Sequence, residues 1–132
     1  ELIINIWRDA LTPVVSPVAA DHAGELVNCN ADVAAGALAG ALDAELLVLL
    51  SDVDQLRSDP NDEASVLDAV SGDDVRRLVE SGAAREGMRP KMLAALDALD
   101  GGARRVLLAN GTREHALRDA LDRTIPTTEV VR

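Results

Sequence analysis

Two hydrophobic periods alternate along the chain. Residues 1–9, ELIINIWRD, put Leu2, Ile3, Ile6 and Trp7 along one helical face. Thr12-Pro13 closes that segment, because the residue before a proline is pushed out of the helical region. PVVSPVA over 13–19 reads as a strand, Asp21 to Gly24 supplies turn chemistry, and ELVN over 25–28 is a short strand returning from it. Asp32 to Leu42 is an alanine-rich helix with Gly36 and Gly40 four apart on one face, where they permit close packing. AELLVLLSD over 44–52 is apolar without alternation, the pattern of a central parallel strand covered on both faces.

The second half repeats the theme. SDPNDEAS over 58–65 is a polar loop, and Ser71-Gly-Asp-Asp74 resembles a capping box opening the helix VRRLVES, with Gly82 as the stop. Gly87 to Asp100 is a further helix, where Pro90 is tolerable near the start and Gly101-Gly102 ends it. RRVLLAN over 104–110 is a buried strand, Thr112 is placed to cap a helix over 113–123, and TTEVVR over 127–132 closes as a strand. Such alternation predicts an α/β sandwich with a largely parallel sheet.

Composition narrows the choice of core and partner. The chain of 132 residues has no Phe or Tyr and a single Trp, so the core must be built from Ala, Leu and Val. Base-stacking nucleic-acid modules need aromatic platforms, and a net charge of −10 repels polyanions; nucleic-acid binding is not expected. The single cysteine, Cys29, excludes a disulfide framework and reads as core packing. His22 and His115 have no companions at ligand spacing, so no protein-held metal is expected. The longest apolar run, Leu46 to Leu50, is too short for a bilayer, and no signal peptide is visible. The chain opens on Glu1 rather than Met, which points to a processed product or a fragment.

In open α/β sheets ligands collect beyond the carboxyl ends of strands. Four segments fall there: Asn28–Asp32, Ser51–Arg57, Gly87–Lys91 and Ala109–Thr112. In NCNAD over 28–32, Asn28 and Asn30 offer both donors and acceptors, and Asp32 can orient a lysine ammonium. Alternatively, Asn30 caps the helix and Asn28 satisfies a strand edge. Asp52 and Asp54 can accept from ribose hydroxyls or stand near a metal-bound phosphate; a plain strand-end turn is the other reading. Lys91 lies in the first turn of a helix whose free amides carry partial positive charge, at a cost of roughly 0.3–1 kcal/mol. An arriving phosphate reverses that sign by pairing with amides and ammonium together. An exposed lysine stem lying over the helix is the alternative. No G-x-G-x-x-G or G-x-x-x-x-G-K-[ST] occurs, which excludes Rossmann dinucleotide and P-loop sites.

Taken together, PVVSPVAADHAGELVNCNADVAAGALAGAL, then LLVLLSDVDQL, then EGMRPKMLAALDALDGGARRVLLANG resemble the carboxyl-terminal half of the amino acid kinase family, nearest to its members acting on N-acetylglutamate. The N-x-N-A-D element, the S-D-V step after a hydrophobic strand and the G-M-x-x-K helix opening stand in the family's order. The resemblance implies a three-layer α/β/α sandwich of the carbamate kinase type. Residues 1–43 would be the end of the amino-acid-substrate lobe and 44–132 the ATP-binding lobe. It implies a catalytic Lys91 stabilising the transferring phosphoryl group, Asp32 organising catalytic lysines, and Asn28 and Asn30 binding substrate. Ser51, Asp52, Val53, Asp54, Gln55, Leu56 and Arg57, with Ala83, Ala84 and Arg85, would border the ATP.

The activity implied is transfer of the γ-phosphoryl group of ATP, carried with Mg2+, to the side-chain carboxylate of N-acetyl-L-glutamate in arginine biosynthesis. Other implied readings are a kinase acting on carrier-protein-linked aminoadipate or glutamate, and a non-catalytic nucleotide-binding relative. The family's glycine-rich segment with a second catalytic lysine is not in this sequence, so the chain alone is expected to be inactive. A cytoplasmic location and a homo-oligomeric full-length form are further expectations. Gln55 and Glu86 stand where the family commonly has glycine, and IPTTEVVR lacks its usual Gly-Thr.

Overall fold

In the computed structural model, which describes residues 1–82, 84 and 87–132, the chain divides into two units, Glu1–Ala31 and Asp32–Arg132. The amino-terminal unit holds helix α1 (Leu2–Arg8) and a hairpin of β1 (Val18–Ala20) and β2 (Leu26–Asn28), paired antiparallel with Val18 opposite Asn28. Ile3 and Ile6 are half-buried on α1, whereas Leu2 and Trp7 are exposed. The Asp21 carboxylate accepts from the amides of Ala23 (2.8 Å) and Glu25 (2.9 Å), and Gly24 adopts φ +85° to complete the turn.

Two expectations fail in this unit. The strand expected over 13–19 is confined to Val18–Ala20, because Pro13 and Pro17 bring no amide donor to a ladder. Cys29 is exposed rather than packed in a core. Both hairpin strands are exposed throughout, so an extended residue beside them has no apolar layer to enter. Its amide (3.0 Å) and thiol (3.2 Å) both donate to the Pro17 carbonyl.

The larger unit is the α/β sandwich. Its elements are α2 (Ala31–Ala41), β3 (Leu47–Ser51), β4 (Leu56–Arg57), β5 (Val66–Leu67), β6 (Ala69–Ser71), α3 (Gly72–Glu80), α4 (Met88–Gly101), β7 (Arg105–Asn110), α5 (Ala116–Leu121) and β8 (Thr127–Val131). Four strands form a sheet in the order β3-β7-β8-β6. The β3–β7 and β6–β8 pairs are parallel and β7–β8 is antiparallel. Val106 and Leu108 of β7 join a core with α3 and α4 residues, while Leu107 and Ala109 pack with Ala120 of α5 on the other face. These faces make three layers.

The unbroken apolar run over 44–52 predicts a central strand; β3 instead lies at an edge of this sheet, with Leu50 44% exposed. The central position belongs to β7, whose Val106 to Ala109 are all buried. A near-continuous apolar run satisfies either placement, since alternation is lost wherever both faces are covered.

Small residues set the α2–α4 contact. A Cβ on Gly36 would run into the Ala94 carbonyl oxygen, and one on Gly40 would come within 2.9 Å of Gly101 Cα. Only glycine allows the two backbones this close. The contact ties α2 to the larger unit, which begins at Asp32.

Helix starts follow local hydrogen bonding. Ser71 caps α3 by accepting from the Asp74 amide at 3.1 Å and donating to the Asp74 carboxylate at 2.6 Å. Pro90 occupies the first turn of α4, where its missing donor costs no intrahelical bond. Thr112 does not cap α5. Its amide and hydroxyl both donate to Asn110 Oδ1 (2.9 and 2.7 Å), and the helix starts after His115 in the left-handed region. Among the described residues no helix is long and apolar enough to cross a membrane.

Candidate functional site

At the carboxyl ends of β3 and β7 lies a cleft of about 540 Å³. Its polar lining comes from the strand ends and the segment that follows, with Ser51, Asp52, Asp54 and Asn110. The apolar wall comes from three other places: Leu78 of α3, Met88 and Met92 of α4, and Leu56 with Val66 of the β4–β5 hairpin. A volume of this order and a mostly apolar wall with a few placed polar groups suit a small organic ligand.

The strand ends are locked together. The Gly111 amide donates to the Ser51 carbonyl at 2.8 Å, and a Cβ at Gly111 would come 2.8 Å from Leu50 Cβ. Asn110, held by Thr112, donates from Nδ2 to Asp54 Oδ1 at 2.9 Å. Arg113 donates to the same oxygen from Nε (3.2 Å) and Nη2 (2.9 Å). The Asn110 bond first, and then that of Arg113, hold the Asp54 carboxyl below its ordinary 3.8.

The hairpin wall hangs on one buried hydroxyl. Thr128 of β8, 0% exposed, accepts from the Leu56 amide at 2.9 Å and donates to the Leu67 carbonyl at 2.5 Å. Gln55 adds donations to Asp68 (2.7 Å) and to the Thr127 carbonyl (3.0 Å). Where the resembled family commonly has glycine, this chain has a side chain pinned to β8.

Helix α4 brings its first turns to the same region. Gly87, Met88 and Met92 line the cleft. Lys91, three residues beyond Met88, does not itself line the cleft and donates to both carboxylate oxygens of Asp32 at 2.9 Å. The side chains are only 16% and 21% exposed. Asp32 sits in the first turn of α2, where a carboxylate is favoured by the helix dipole. That carboxylate offsets the unfavourable placement of an ammonium at the start of α4. Lys91 is therefore not an exposed stem lying over its helix.

Of the residues singled out in the sequence, Ser51, Asp52, Val53, Asp54, Gln55, Leu56, Arg57 and Ala84 all line the cleft, and Lys91 and Asp32 form the ion pair. Asn28 ends β2 and Asn30 precedes α2, both exposed. Ala83 and Arg85 lie outside the described residues. Sequence reasoning gave no role to Met88, Met92 or Arg113, and flagged Asn110 only as part of a segment. Two methionines four apart at a helix start were the available signal for the wall. Among the described residues no three His, Cys, Asp or Glu side chains group as a metal cage.

Comparison with known proteins gives the family and the fold. The model of the amino acid kinase family matches residues 1–110. Acetylglutamate kinases of Methanococcus maripaludis and Methanocaldococcus jannaschii are each 40% identical over 117 residues, 89% of this chain. The chain spans 40% and 39% of the length of these two relatives. Among solved structures, N-acetylglutamate synthase from Neisseria gonorrhoeae, complexed with coenzyme A and L-arginine, superposes with a TM-score of 0.83 at 24% identity. It covers 98% of this chain and 30% of the synthase chain. Carbamate kinase from Giardia lamblia bound to AMP-PNP gives a TM-score of 0.66 at 19% identity, covering 86% of this chain and 36% of that chain. The fold is thus of the carbamate kinase type, and the chain belongs to the amino acid kinase family.

Proposed function

We propose that this chain is the carboxyl-terminal, ATP-binding part of an acetylglutamate kinase. One observation carries the reading: Lys91 is seated at the start of α4 by the Asp32 carboxylate, on the helix that also walls the cleft. The 40% identical relatives are acetylglutamate kinases, and the Giardia carbamate kinase of the same fold holds a nucleotide analogue.

The residues fit a nucleotide. Met88, Met92 and Leu78 offer an apolar wall for a purine, and Asp54 offers an acceptor for ribose hydroxyls. Lys91 and the α4 amides would hold the terminal phosphate, their positive charge answering the negative charge on its equatorial oxygens. Asp32 keeps the ammonium in place until the phosphate competes for it. Mg2+ would come with the nucleotide, whose phosphates supply the hard oxygen ligands this cation favours.

ATP supplies an activated phosphoryl group. In the transfer, a carboxylate oxygen of N-acetylglutamate forms a bond to the γ-phosphorus as the bond to the β–γ bridging oxygen breaks. The electron pair leaves with ADP and an acyl phosphate remains. The acceptor is already ionised near neutral pH, so no general base is required. What the protein contributes is alignment and charge. Asn28 and Asn30 would bind the acylated amino acid. The second lysine implied by the resemblance is not in this sequence, so the chain alone should not turn over.

The test is chemical-shift mapping with Mg·ATP on the isotopically labelled chain. Saturable shifts concentrated at 51–57, Met88 and Met92 are expected. Shifts elsewhere only, or none, contradict the reading. Hydroxylamine trapping with ATP and N-acetylglutamate should give no hydroxamate from this chain alone; a product would refute the need for a second lysine.

A further inference from the structure

Asp54 Oδ1 accepts three hydrogen bonds, from Asn110 Nδ2 and from Arg113 Nε and Nη2, while Oδ2 has no partner among the described residues. The carboxylate lines the cleft. Both anchors belong to the end of β7 and its connection to α5. Asn110 ends β7 and its own amide oxygen is held by Thr112, while Arg113 follows two residues beyond the tight Gly111 step.

We propose that Asn110 and Arg113 are positioning residues that clamp one oxygen of Asp54, so that the other accepts from the vicinal hydroxyls of a ribonucleotide in the cleft. The inference rests on the nucleotide reading above and adds to it a preference for ribose over deoxyribose.

The geometry favours orientation over stability. Arg113 and Asp54 are 44% and 45% exposed, and a pair that open to solvent adds little to folding. Yet three donors on a single oxygen remove the carboxylate's rotational freedom. A ribose then meets an acceptor already aimed, which strengthens its hydrogen bonds without the entropy cost of ordering. The same bonds hold the carboxyl ionised well below neutral pH, so it acts as an acceptor only.

The experiment compares dissociation constants for ATP and 2′,3′-dideoxy-ATP in the wild-type chain, Arg113→Ala and Asn110→Ala, with thermal unfolding of each. The wild type should prefer ATP by about tenfold, the value of one hydrogen bond to a charged acceptor. In each variant the preference should fall to about twofold, because ATP binding weakens more than dideoxy-ATP binding, with unfolding little altered. An unchanged preference in both variants overturns the clamp while leaving the nucleotide reading intact. An equal loss for both nucleotides assigns the residues a structural role and also overturns it. A wild-type chain that binds neither nucleotide overturns the nucleotide reading, and the clamp with it.

Discussion

Lys91 Nζ stands 2.9 Å from each carboxylate oxygen of Asp32, joining the first turn of α4 to the first turn of α2. A largely buried ammonium beside helix-end amides depends on this partner. Asp32→Ala should therefore destabilise the chain by about 1–3 kcal/mol, chiefly through the charge left behind. Adding Lys91→Met should recover part of the loss, because the stranded charge is then gone as well. Urea unfolding of the single and double variants measures the coupling. Purely additive losses would show that the pair is not coupled.

Thr128 connects the sheet to the hairpin that walls the cleft. Thr128→Val keeps the shape and removes the hydroxyl, leaving the Leu56 amide and the Leu67 carbonyl without that partner. A loss of about 1–3 kcal/mol is expected, with faster hydrogen exchange at the Leu56 amide. Exchange unchanged at Leu56 would contradict the hairpin's dependence on this bond.

Two glycines on neighbouring elements should respond oppositely to alanine. Gly36→Ala forces a methyl group into the Ala94 carbonyl and should cost about 1–3 kcal/mol or more, since the obstacle is backbone. At Gly87 a Cβ meets nothing within 4 Å among the described residues and φ is −73°, so Gly87→Ala should change stability by less than about 0.5 kcal/mol. Melting temperatures of the two variants check the contrast.

Acid sensitivity should have a defined origin. Asp54 is held below its ordinary 3.8 by Asn110 and then Arg113, and Asp74 by the Ser71 hydroxyl and then by Arg77. A carboxyl whose folded pKa is depressed stabilises the fold above its unfolded value and loses that contribution as pH falls through the folded one. Stability should thus decline below about pH 4. Asp54→Asn and Asp74→Asn should each flatten this acid limb of the urea-unfolding profile. Ser71→Ala should act similarly and also cost about 1 kcal/mol at neutral pH through the lost cap.

The elements easiest to read were those with strong local signals. The Ser71–Asp74 cap, the Asp21–Gly24 turn and the glycine pairing of α2 all lie in the sequence as spacing. What escaped depended on partners distant in the chain. Strands β4 and β5 are two residues each and exist because Thr128 and Gln55 tie them to β8; neither has a period to detect. Thr112 looked like a helix cap, but Asn110 captures it first. The cleft's strand-end residues were legible because a run of apolar residues ending in Ser-Asp marks the carboxyl end of a strand. Its methionine wall and the Asn110–Arg113 clamp were not, since they are assembled by the parallel pairing of β3 with β7 and by the placement of α4.

On the proposed reading, Lys91 receives the terminal phosphate of a nucleotide. Calorimetric titration of the wild-type chain and Lys91→Ala with Mg·ATP and with Mg·ADP tests it most directly. Both nucleotides should bind saturably, and the preference for ATP over ADP should drop about tenfold in the variant, with ADP affinity nearly unchanged. A preference identical in the two proteins would contradict it.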